Sequence, residues 1–131
     1  MQEWTALSGG EAVATNQVLY NLGRRGIEWD LLPWLRGRRI PLMAYSPVEQ
    51  ARLLRNPKLI EFAKRYSMAP AQAALAWLIG QGDIIAIPKT GHSERVKENC
   101  GALTVDLSPE QLSELDRMFP PPQKAAPLEM L

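Results

Sequence analysis

"IAIPKTGHSERVKEN" (residues 85–99) starts apolar and turns abruptly basic and polar. With Ile84 in front of it, the opening run is short, β-branched and flanked by turn residues, the pattern of a buried strand. Pro88 stops that strand, and Ser93 begins a segment that suits a helix. A strand leading through a short loop into a helix is half of a βαβ unit. Two cations, Lys89 and Arg95, fall where the helix begins, the end that carries partial positive charge, and a cation there costs typically ~0.3–1 kcal/mol. An anion seated between them would resolve the conflict.

Working outward, the same alternation recurs. "TNQVLYNL" (15–22) and "IPLMAYSP" (40–47) are further strand candidates, the second ended by a Ser-Pro breaker. "WDLLPWLRGRR" (29–39), "NPKLIEFAKRY" (56–66) and "APAQAALAWLIGQ" (69–81) show helical spacing of apolar residues, with Pro33, Pro57 and Pro70 in first-turn positions. "SERVKENCGAL" (93–103) is a helix, as is "SPEQLSELDRMF" (108–119), which opens on a capping box of Ser108 and Gln111. Ala69 forfeits the cap that a Ser or Thr would give its helix, typically ~1 kcal/mol. "PPPQKAAPLEML" (120–131) cannot be helical through its prolines and is expected as an extended tail docked by Leu128 and Leu131. Strands joined through helical crossovers predict an α/β fold with a parallel sheet. Three strands are too few for a barrel, which needs about 250 residues.

Composition narrows the function. The chain has 131 residues, 46% of them apolar and 22% charged, with a net charge of +1. That balance carries no bulk field for nucleic acid or an anionic membrane. No apolar run is long enough for a membrane span. The single cysteine, Cys100, excludes an internal disulfide framework, is expected as a small packing residue, and fits a reducing, cytoplasmic setting. The tryptophans, Trp4, Trp29, Trp34 and Trp77, are expected to pack. No GxGxxG fingerprint occurs.

Taken together, "ATNQVLYNL" (14–22), "RGIEWDLLPWL" (25–35), "PLMAYSP" (41–47), "PAQAALAWLI" (70–79) and residues 85–99 resemble successive landmarks of the aldo-keto reductase superfamily, in family order and spacing. The resemblance implies the C-terminal half of a (β/α)8 TIM barrel. About three βα units would be followed by an extra C-terminal helix, so that residues 1–131 form a partial barrel domain whose first residue falls mid-barrel. It implies NADP(H) as cofactor and a small carbonyl compound as substrate of an intact parent. Gln17 would then bond the nicotinamide carboxamide, and Tyr45 would stack on the nicotinamide ring. Ser46 and Val48 would line the pyrophosphate. Lys89, Thr90 and Arg95 would hold the adenosine 2′-phosphate, and Glu98 and Asn99 the adenine. The family's catalytic Asp, Tyr, Lys and His lie in the half that this sequence does not match. His92, the only histidine, falls in the phosphate loop and is expected as an exposed loop residue. Ala51 stands where a Gly is frequent.

Two readings follow. One is a fragment of an NADPH-dependent reductase that carries most of a cofactor half-site and is inactive alone. The other is a non-catalytic half-barrel that self-associates, takes up a missing N-terminal half or binds a dinucleotide weakly. Each of the singled-out polar residues also has a plainer reading, as solvated surface or as turn and core positions.

Overall fold

The computed structural model describes residues 2–131, apart from the side chains of Gln2, Trp4 and Glu11; the packing expected of Trp4 lies outside the described residues. Helix α1 (Gln2–Thr5) leads to strand β1 (Asn16–Leu19), helix α2 (Leu31–Gly37) and strand β2 (Leu42–Tyr45). Helices α3 (Pro57–Arg65) and α4 (Pro70–Gly80) follow, then strand β3 (Ile84–Ala86) and helices α5 (Ser93–Gly101) and α6 (Pro109–Met118). The strands form one sheet in the order β1-β2-β3, parallel throughout, with Val18 opposite Ala44 and Ala44 opposite Ala86.

Local chemistry sets the helix boundaries. Asp30 caps α2 by accepting the Leu31 N–H at 2.6 Å, and Asn56 caps α3 by accepting from Lys58 N at 3.0 Å. At α6 the capping box forms in both directions, Gln111 N donating to Ser108 Oγ at 3.3 Å and Ser108 N to Gln111 Oε1 at 2.7 Å. Ala69 has no side-chain acceptor to offer. Gln72 nevertheless accepts the Ala69 N–H at 3.0 Å, so half of a box survives at α4.

Alternation along the strands separates two faces. Val18, Leu42 and Ala44 enter the core with Leu32 and Leu35 of α2, Phe62 of α3, Trp77 of α4 and Leu115 of α6, and Ile84 and Ala86 pack against it. All of these helices therefore cover one face. The opposite face carries Gln17, Leu19, Met43, Tyr45 and Ile85, the last of them 43% exposed. α4 is buried nearly all round, because α3, β3 and α5 surround it.

Four expectations need correction. The first strand stops at Leu19 rather than reaching residue 22, because Asn21 turns the chain: its backbone bridges to Arg24, and its Oδ1 accepts the Gly23 N–H at 2.9 Å. Cys100 is exposed instead of packed. Trp29 is exposed as well, while Trp77 is fully buried and Trp34 is half-buried under the Arg38 guanidinium, 4.0 Å from its ring centre. Leu128 and Leu131 do not dock the tail, being 52% and 50% exposed. Glu129 holds it, through Arg24 at 3.0 Å.

Candidate functional site

The sequence-derived candidates fall into two groups. Gln17 on β1 and Tyr45 on β2 lie on the open face of the sheet, where Gln17 is opposite Met43 and Leu19 is opposite Tyr45. Gln17 is exposed and Tyr45 half-buried. Ser46 and Val48, both half-buried, lie on the loop that leaves β2. The second group surrounds the loop from β3 to α5. Lys89 and Thr90 lie in the loop, and Arg95, Glu98 and Asn99, at helical spacing of three and four, share one side of α5.

Backbone pairing brings the two groups toward the same end of the sheet. Ile87 N donates to Ala44 O at 3.3 Å, so the chain leaving β3 stays beside the C-terminal end of β2, where Tyr45 and Ser46 follow. The Thr90 hydroxyl then accepts the His92 N–H at 3.2 Å and turns the loop into α5. His92 is the N-cap residue of α5 but supplies no side-chain acceptor. The first N–H groups of that helix therefore keep their donor capacity. Lys89 and Arg95 are exposed and take part in none of the ion pairs among the described residues, whereas Lys97 pairs with Glu94 at 3.1 Å. Two cations outside those ion pairs thus stand, in sequence, on either side of an uncapped helix start, and cations and helix donors are the groups that a phosphate dianion calls for.

The loop after β2 is strained. Ser46, Glu49, Gln50 and Ala51 all have positive φ, between 50° and 66°. A left-handed non-glycine residue costs roughly 1–2 kcal/mol, so the surroundings must hold this loop. The turn after β1 does so at two points. Buried Asn21 donates from Nδ2 to Ser46 O at 3.0 Å, and Arg24 Nε donates to Glu49 Oε1 at 2.6 Å. Asn21, Arg24 and Glu49 escaped the sequence reading. The paired arginines 24 and 25 after a glycine were the available signal.

Arg25 serves a different place. Its guanidinium grips Glu28 through two bonds of 2.8 and 3.0 Å, bonds Asp116 at 2.7 Å and Phe119 O at 2.6 Å, and lies 4.9 Å from the centre of the Trp77 ring. Tyr20 donates its hydroxyl proton to Glu28 at 2.8 Å. Burial, reinforced by the Glu28 charge and that bond, pushes the Tyr20 phenol well above its ordinary range. A phenol held this way keeps its proton at neutral pH and is committed to Glu28.

A cavity of about 440 Å³ runs along β1, with Gln17, Leu19, Asp30 and Leu31 on one side and tail residues 126–129 on the other. Among the described residues no group of three His, Cys, Asp or Glu side chains could hold a metal ion. No described helix is long and apolar enough to cross a membrane.

Comparison with known proteins bears on this geometry. The model of the Aldo/keto reductase family matches residues 2–119. Methylglyoxal reductase of Escherichia coli is 44% identical over 136 aligned residues, covering all of this chain and 48% of that protein. Glyoxal reductase of Bacillus subtilis is 32% identical over 89 residues, covering 68% of this chain. An aldo/keto reductase from Klebsiella pneumoniae, solved in complex with NADP and acetate, superposes with a TM-score of 0.95 at 44% identity, over 99% of this chain and 48% of that one. The chain thus spans about half the length of the relatives it matches, and its three parallel strands with their helices are a half-barrel.

Proposed function

The chain belongs to the aldo/keto reductase family, and on that premise we propose that it is the C-terminal half of an NADPH-dependent reductase of small aldehydes and ketones, built to hold the cofactor. One observation carries the reading. Lys89 and Arg95, without carboxylate partners, flank the uncapped start of α5. NADPH has a 2′-phosphate for them and NADH does not. Arg95 can meet that phosphate with a planar fork of donors and Lys89 with a mobile point charge.

The other assignments rest on the resemblance to the family. Gln17 offers an amide to the nicotinamide carboxamide, and Tyr45 offers a flat face to the ring. Ser46 and Val48 line the path of the pyrophosphate beside the strained loop. Thr90 supports the phosphate loop, and Glu98 and Asn99 address the adenine from α5. When bound, the cofactor supplies a hydride to the carbonyl carbon. The carbonyl oxygen then needs a proton; Tyr20 is committed to Glu28 and Tyr66 to Glu114 at 2.9 Å, and Tyr45 is assigned to the face of the nicotinamide ring. The chain alone binds and orients; the catalytic Asp, Tyr, Lys and His belong to the other half of the barrel.

Titration with NADPH and NADH tests this. Arg95→Ala weakens NADPH binding by about tenfold or more, the scale of a lost charge-assisted bond, and leaves NADH binding unchanged. Equal losses for both nucleotides would remove the phosphate argument. The chain by itself should not consume NADPH in the presence of methylglyoxal.

A second reading has its own support. β1 and β3 each pair on one side only, and Ile85 and Ile87 are 43% and 37% exposed on the open side. Unpaired parallel edges beside apolar surface favour association, and on this reading the chain is a self-associating module without turnover.

A further inference from the structure

Residues 120–131 leave α6 and return along β1. Adjacent residues of one turn pin this segment at both ends. At its base Arg25 bonds Phe119 O and Asp116 at 2.6 and 2.7 Å, and only 9% of the Arg25 side chain is exposed. At its tip Arg24 bonds Glu129 at 3.0 Å, and both of these side chains are more than a third exposed. The two anchors therefore differ in kind. Solvent and salt compete for the second and hardly reach the first. Between them the segment contains Pro120, Pro121, Pro122 and Pro127, which have no N–H to offer the edge of β1, and the described hydrogen bonds include none from the segment to that strand.

Arg24 has a further partner. Its Nε donates to Glu49 Oε1 at 2.6 Å, and Glu49 is one of the left-handed residues of the loop after β2. The Glu49 side chain is largely shielded from solvent, 14% exposed, and it fixes the direction in which the guanidinium points. One guanidinium thus joins the strained loop to the tail tip.

We propose that residues 120–131 form a strap, hinged at Phe119 and clasped at Glu129, with Arg24 and Glu49 as the positioning residues that decide how often the cavity beside Gln17 stands open. What passes through that opening rests on the cofactor reading above; the strap itself does not. The clasp controls access from the tail side, and the same arginine transmits the state of the loop after β2 to the tail. A loop settled in its left-handed conformation holds Arg24 toward Glu129, and a loop that relaxes lets the tip go.

Limited trypsin digestion of the whole chain reads the strap directly. Lys124 is exposed and lies between hinge and clasp, so cleavage after it releases residues 125–131, which mass spectrometry quantifies. Glu129→Gln, Arg24→Gln and Glu49→Gln each speed that release roughly two- to fivefold, the range expected for one exposed ion pair. Arg24→Lys, which keeps the charge without the fork, falls between. Salt raised to about 0.5 M brings the wild-type rate up to that of the variants and leaves Glu129→Gln unchanged. Cleavage after Arg117, inside α6 and next to the buried anchor, stays at the wild-type rate in all of them. Unchanged release from Glu129→Gln would overturn the clasp. Faster release from Glu129→Gln and Arg24→Gln but not from Glu49→Gln would overturn the link to the loop. A parallel rise at Arg117 would mean general loosening and overturn both. No nucleotide is present in the assay, so its failure and a failure of the Arg95→Ala titration are separate results.

Discussion

Ala51 occupies a backbone position that suits glycine, at φ 66° at the end of a loop with three other left-handed residues. Its methyl group is set against the carbonyl geometry of that region, and glycine removes the clash while adding freedom to the unfolded chain. The relief outweighs the entropy, so Ala51→Gly stabilises the protein by about 0.5–1 kcal/mol in urea titration. No gain would mean that the loop bears no strain there. Tyr20 makes a pH-dependent contribution. Burial holds its folded pKa above the ordinary phenol value of 10.0, so the fold favours the protonated phenol. Below pH 10 both states are protonated and the contribution is whole. Above it only the unfolded chain ionises, and each further pH unit removes about 1.4 kcal/mol. Tyr20→Phe should abolish that slope in stability measured from pH 9 to 11.

Helices α2, α3, α4 and α6 begin where a Pro or a capping residue predicts, to within about two positions, because those signals act over a single turn and are visible in sequence. α3, α4 and α6 all open on proline, and Asn56 and Ser108 cap their helices with no distant partner. The turn at residues 21–24 was not legible in the same way. Its conformation depends on Ser46 and Glu49, and Arg24 meets Glu129 across 105 positions of chain. Local pattern carries no trace of such pairings. The same limit applies to the site: Gln17 and Tyr45 were named from motif resemblance, but their common face follows only from the register of β1 and β2. α6 depends on one long-range pairing in particular. Arg25 is its buried bond to the body of the fold, and Arg25→Ala strands Glu28 and frees the Phe119 carbonyl. The expected loss is about 3 kcal/mol in chemical denaturation, as for a buried pair deprived of one partner, with Arg25→Lys recovering only part.

The sheet of the whole molecule is open on one face, and β1 and β3 each pair on one side only, while the helical side is closed by a continuous apolar core. That asymmetry is the structural expression of spanning about half the length of the matched relatives. Sedimentation at micromolar concentration should give a mass above 14.6 kDa, rising with concentration; a compact monomer at every concentration would exclude association through the sheet. For any association through the sheet, the tail sets which rim is available. With a proline-bearing segment over β1, only β3 is left uncovered as a rim. Two β3 rims meet about a twofold axis and the contact is spent, whereas β3 against a bare β1 repeats from copy to copy without end. Residues 120–131, which build no helix and no strand, would then separate a finite pair from a growing filament.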